Sequence, residues 1–149
     1  MFGALRMVDN SVIRRVVLFL CLSLLGLGCG GPQKAQIKPG PAISGLNLTG
    51  TWDSTPFGVM ELKQDGVSVT GRYTDPRGPD HDGTIRGKVQ GDLLRVQWIK
   101  HGNDLAAVQS VMGRAWLRIK ARGKKLEGRF GYDESDDDAG QWSAEKSDY

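Results

Sequence analysis

Apolar and polar side chains alternate with period two through most of the chain after residue 46. Such alternation places every second side chain on one face of an extended strand. Leu48, Gly50 and Trp52 share a face in the first segment. Met60 and Leu62 alternate with Glu61 and Lys63, and Val67, Val69, Gly71 and Tyr73 with Ser68, Thr70 and Arg72. Asp65-Gly66 between these two runs is a strong hairpin signal. Ile85, Gly87 and Val89, then Leu94, Val96 and Trp98, continue the pattern on either side of Gly91-Asp92. Ala115, Leu117, Ile119 and Ala121 form a sixth run. Leu126, Gly128, Phe130 and Tyr132 follow Gly123, and Trp142 and Ala144 mark the last segment. The pattern predicts eight half-buried antiparallel strands.

An internal repeat says how these strands are arranged. Val69-Thr70-Gly71-Arg72-Tyr73, Ile85-Arg86-Gly87-Lys88-Val89 and Leu126-Glu127-Gly128-Arg129-Phe130 share the order apolar, any, Gly, basic, apolar, and Gly113-Arg114-Ala115 echoes it. In each copy the glycine lies on the face of the bulky residues. Glycine ordinarily weakens a strand, so its recurrence there has a structural cause. A tightly rolled sheet supplies one, because small residues relieve crowding where inner side chains converge. The fold class predicted is all-β, a small eight-stranded up-and-down barrel. Its outer face is charged, which excludes a membrane-spanning barrel with an apolar outer band. His101 to Met112 breaks the alternation. Asn103 or Asp104 would cap a short helix with Leu105, Val108 and Met112 on one side, a flap over one barrel end.

The first 28 residues follow another rule. Arg6, Arg14 and Arg15 precede the uncharged stretch Val16 to Gly28, thirteen residues long. A spanning helix needs about twenty. A basic start, a short apolar core and small residues before a cut site make an export signal. Leu25-Gly26-Leu27-Gly28-Cys29 resembles the lipobox of bacterial lipoproteins, although Gly26 stands where leucine is usual. That resemblance implies cleavage before Cys29 and acylation of Cys29, palmitate included. It also implies anchoring in the cell envelope, in the outer membrane facing the periplasm or cell surface if the cell is Gram-negative. Several acyl chains hold firmly, at about 0.8 kcal/mol per buried methylene. The alternatives are an ordinary signal peptide with a leftover thiol, and twin-arginine export through Arg14-Arg15.

The domain boundaries expected are therefore a signal peptide over 1–28, a lipidated cysteine and Gly/Pro-rich tether over 29–45, a barrel over 46–146 and a tail over 147–149. Gly30, Gly31, Pro32, Pro39, Gly40 and Pro41 give the tether its character, and fifteen such residues reach about 50 Å. Charge adds one exclusion. The chain has 20 Lys and Arg against 17 Asp and Glu, but three arginines and one aspartate lie in the leader. The remainder is almost neutral and nucleic-acid binding gets no support. Cys21 and Cys29 are the two cysteines, so the folded part has no thiol for a disulfide, a metal or nucleophilic catalysis.

On these residues the chain resembles the calycins, the group of closed barrels that includes lipocalins and avidins. The resemblance rests on Gly50-Thr51-Trp52, Gly71-Arg72-Tyr73 and Gly140-Gln141-Trp142. It implies a soluble barrel with a cavity, and a first-strand tryptophan, Trp52, packed across the closed end. The biotin contacts of avidins do not map onto this chain, so no ligand is carried over.

Trp52, Tyr73, Trp98, Phe130 and Trp142 lie on the predicted inner face. They form a solid aromatic core or line a pocket for a small apolar ligand. Trp116, among Arg114, Arg118 and Lys120, falls on the outer face. Either it stacks on a sugar or partner protein with Arg118 beside it, or the 102–112 segment covers it, or the strand's register is shifted from the one the alternation gives. Asp80-His81-Asp82 offers zinc-type ligands, but adjacent residues of an extended segment point apart, and a solvated loop is the simpler reading. The acidic run Asp133 to Asp138 lacks calcium-loop spacing and is expected as a solvated hairpin tip. No nucleophile–base pair, phosphate loop or paired-acid spacing is present, so the chain is expected not to be an enzyme and to use no cofactor or metal. Three functions remain: a lipid-anchored module for a small apolar ligand, an interaction or inhibitor module akin to small bacterial metalloprotease inhibitors, and a structural envelope lipoprotein. The partners expected are the membrane, through Cys29, and a small apolar ligand or envelope protein.

Overall fold

The computed structural model describes residues 36–101 and 110–147. The leader, Cys29 and the helix expected around Asn103 to Val108 lie outside the described residues. Eight strands follow in order: β1 Gly50–Thr55, β2 Gly58–Asp65, β3 Ser68–Thr74, β4 Gly83–Gln90, β5 Leu93–Lys100, β6 Val111–Lys120, β7 Lys125–Tyr132 and β8 Gly140–Lys146. Each pairs antiparallel with its sequence neighbour, and β1 pairs with β8 from Trp52↔Lys146 to Thr55↔Ser143. The sheet is a closed up-and-down barrel, as the alternation predicts.

The inner glycines explain how so short a chain closes. Gly71 sits in register between Leu62 and Ile85. Gly87 sits between Val69 and Val96, and Gly128 between Leu117 and Trp142. Each thus faces a bulky side chain on both neighbouring strands. A Cβ at Gly71, Gly87 or Gly128 would fall on the carbonyl oxygen of Glu61, Arg95 or Trp116 respectively. The wall curves so sharply there that only a hydrogen fits.

Topology gives the barrel two unlike ends. The tight β2–β3, β4–β5 and β6–β7 turns and the entering chain gather at one end. Trp52 and Leu48 are completely buried there, with Leu46 and Ile43 packed against them. The Trp52 Nε1–H donates to the Leu48 carbonyl at 2.9 Å, and Leu48 N–H donates to Gln64 Oε1 at 2.8 Å. This end is sealed. The entering segment is also latched outside. Arg95 and Arg118 donate to the carbonyls of Ile37 and Lys38, each at 2.6 Å. Asp92 accepts the Gly40 N–H and the Arg118 guanidinium, both at 2.6 Å. Gly91, at φ 58°, has the Gly40 carbonyl where a Cβ would stand. The expected free tether over 29–45 is therefore corrected from Ile37 onward, where charged side chains bind its backbone. Composition showed the lack of apolar side chains there but not these nonlocal backbone bonds.

Some run ends also differ from the alternation. Val67 lies in the β2–β3 turn and is 61% exposed, and Tyr132 at the end of β7 is 51% exposed. Ala121 leaves β6 for a short turn at φ 48°. Met112, expected on the helical segment, is an exposed residue of β6. Period two holds only while pairing continues on both sides.

Candidate functional site

The opposite end collects the longer β3–β4 and β7–β8 connections, the end of β5, the start of β6 and the short β1–β2 turn. That turn carries Phe57, which is 6% exposed and lies across the barrel axis. Its ring centroid is 4.4 Å from that of Trp142, 5.0 Å from Tyr73, 5.1 Å from Phe130 and 5.4 Å from Trp98. Gly58 makes this insertion possible. It has φ 70°, and a Cβ would strike the Thr74 carbonyl and Pro76. Phe57 thus acts as a stopper, held by tilted and edge-on aromatic contacts.

Above the stopper is a half-open hollow of about 480 Å³. Tyr73, Trp98, Phe130 and Tyr132 form its apolar wall, with Phe57 as floor. Two glycines let the larger rings lie back. A Cβ at Gly83 would meet the Tyr73 phenol, and one at Gly113 the six-membered ring of Trp98. The five inner-face aromatics of the sequence therefore divide. Tyr73, Trp98 and Phe130 line the hollow, Trp142 lies against Phe57 without lining it, and Trp52 belongs to the sealed end.

The polar rim comes from elements whose role the sequence did not announce. Asp75, immediately after β3, is 3% exposed. Arg77 grips its carboxylate with two parallel bonds, Nε to Oδ1 at 2.8 Å and Nη2 to Oδ2 at 2.6 Å. The Arg77 backbone N–H adds a third at 2.9 Å, and Asp82 Oδ1 accepts the Asp75 N–H at 2.8 Å. The side-chain bond from Arg77 holds the Asp75 carboxyl below its usual range, against the opposing effect of burial. His81 and Lys100 complete the rim.

Three buried polar atoms in this wall have no hydrogen-bond partner among the described residues: the Tyr73 hydroxyl, Trp98 Nε1 and His81 Nδ1. The contrast with the other two inward tryptophans is direct. Trp52 Nε1 bonds to the Leu48 carbonyl, and Trp142 Nε1 to Ser54 Oγ at 2.9 Å. An unpaired buried donor costs about 1–3 kcal/mol, and native proteins tolerate few. Burial first, and the charge of Asp75 second, push the Tyr73 phenol well above its ordinary pKa. It is a neutral hydroxyl at physiological pH.

The remaining sequence candidates are placed as follows. Trp116 is half-buried on the outer face of β6, in cross-strand register with Arg95 and Arg129. Arg118 is bound to Asp92 and Lys38, so its donors serve the latched segment. His81 ends a short turn, Pro79–His81, and Asp82 is bonded to Asp75. No cluster of three or more metal-capable side chains occurs among the described residues. The acidic hairpin tip is folded down onto the basic wall. Glu134 pairs with Arg114, Asp136 lies 3.8 Å from Arg95, and the Asp137 carbonyl accepts two bonds from Arg129.

The geometry defines a closed eight-stranded antiparallel barrel with one sealed and one hollowed end, compatible with a calycin-like fold. Compared with known proteins, the chain matches no family model, no curated protein and no solved structure.

Proposed function

We propose that this protein is a lipid-anchored envelope protein whose barrel captures a small molecule at its open end. The observation that carries this reading is the hollow itself. Its volume falls within the range of small-molecule sites, and its wall combines aromatic surface with buried polar atoms lacking partners. The binding place differs from the barrel lumen, because Phe57 occupies the axis below. Capture therefore occurs at the rim, on Tyr73, Trp98 and Phe130. Anchorage rests on the lipobox-like sequence ending at Cys29. A protein-interaction or inhibitor module is the second reading. It is favoured by Trp116, half-exposed between Arg95 and Arg129.

Native mass spectrometry of the protein from its own host tests the first reading. The expected spectrum shows a chain beginning at an acylated Cys29 and carrying a dissociable small-molecule adduct. An unacylated N-terminus would remove the anchor. A protein that never carries an adduct, and binds nothing from envelope extract, would remove the capture role. A pull-down with Trp116→Ala tests the second reading, which requires a partner lost in that variant.

A further inference from the structure

The geometry points to a specific ligand chemistry for this hollow: a compact molecule with a carboxylate head and a flat apolar body, not a long-chain lipid. The inference rests on the capture reading above and narrows it. Three groups on one flank of the hollow, Trp98 and Lys100 of β5 and Tyr73 of β3, define the head. The Trp98 indole can only donate a hydrogen bond, and its N–H has no acceptor among the described residues. Lys100 also only donates, and no carboxylate among the described residues pairs with it. The Tyr73 hydroxyl is neutral and able to donate. A ligand meeting these groups must supply acceptors, and a negative charge answers the ammonium.

Asp75 opposes this only in part. Its carboxylate is held by both prongs of Arg77 and by a backbone N–H, which offsets part of its charge, although the remainder still raises the Tyr73 pKa. The Asp82 carboxylate is engaged by the Asp75 N–H, and Lys100 is left as a rim cation that no carboxylate among the described residues pairs with. The body of the ligand is defined by the floor. Phe57, Phe130 and Tyr132 offer ring surfaces, and Phe57 closes the way into the barrel. An extended acyl chain therefore has no channel to enter, whereas a ring or short branched group covers the floor.

The test uses the full chain purified in detergent, observed by the indole N–H resonances of its tryptophans. Trp98→Phe assigns the relevant resonance. The probes are phenylacetate and 4-phenylbutyrate, their primary amides, and palmitate. The carboxylates are expected to shift the Trp98 N–H resonance and to bind about tenfold tighter than the amides, the difference one charge-assisted hydrogen bond makes. Lys100→Met, on a rim residue, is expected to erase that tenfold preference. Amides that bind as well as carboxylates, or palmitate that binds tighter than both, would overturn the carboxylate assignment while capture at the rim survives. Failure of every probe to move the Trp98 resonance would overturn both.

Discussion

Replacing Tyr73 by phenylalanine removes one oxygen and leaves the ring against Phe57 and Gly83. That oxygen is buried in a residue only 2% exposed and has no partner among the described residues. A buried hydroxyl without a partner costs about 1–3 kcal/mol. The space left by one oxygen, on the order of 10 Å³, returns only about 0.2 kcal/mol at the usual cavity coefficient. Tyr73→Phe is therefore expected to stabilise the barrel by about 1–2 kcal/mol while weakening ligand capture, the trade expected at a binding site. In a domain of about 100 residues each kcal/mol moves Tm by about 4–8 °C. Urea denaturation at pH 7 measures the change directly, and a pH series gives a second readout. The Tyr73 phenol has a raised pKa in the folded protein, so its contribution is complete below the unfolded value near 10. It is lost as pH rises from there through the folded value, because the unfolded state releases the proton first. Tyr73→Phe should flatten the alkaline fall in stability. A variant less stable by 0.5 kcal/mol or more, on the order of half a typical hydrogen bond, would refute the claim that the hydroxyl is unpaired.

Other substitutions probe other parts of the argument. Phe57→Ala removes a buried ring in contact with four others and is expected to cost about 3–5 kcal/mol in chemical denaturation; it should also let a dye such as 1-anilinonaphthalene-8-sulfonate enter below the rim. Gly128→Ala places a methyl on the Trp116 carbonyl and should destabilise by about 1–3 kcal/mol, whereas Gly66→Ala, where no atom lies near, should cost little beyond its turn conformation. Arg77→Met leaves the Asp75 carboxylate with a single backbone donor and should cost about 1.5–3 kcal/mol at pH 7. Because Arg77 lowers the Asp75 pKa, that contribution is present above the unfolded value near 4 and lost as pH falls through the folded value. The difference between wild type and Arg77→Met should then shrink in acid, as measured by denaturation at pH 7 and pH 3.

The glycine-bearing repeats around Gly71, Gly87 and Gly128 made the rolled sheet legible before any coordinates. Period-two alternation assigns each side chain to a face, and an inner glycine has meaning only where a wall curves. The same logic placed Trp52, Tyr73, Trp98, Phe130 and Trp142 inside. It could not separate Trp52 from Trp98, since both are inward tryptophans in strands of similar pattern. Their difference is which barrel end they occupy and whether an acceptor such as the Leu48 carbonyl lies within reach. Phe57 escaped the pattern because it sits in a turn, where no periodicity operates. Asp75 and Arg77 lie two residues apart in a connection between strands, and only the fold buries one of them.

Sequence alone determined the strand count and the inward faces, because these depend on neighbours along the chain. The tertiary structure alone decided that the lumen is stoppered, that the segment from Ile37 is latched, and that unpaired donors gather at one rim. Those features join residues tens of positions apart, and only closure of the barrel brings their atoms within hydrogen-bond range.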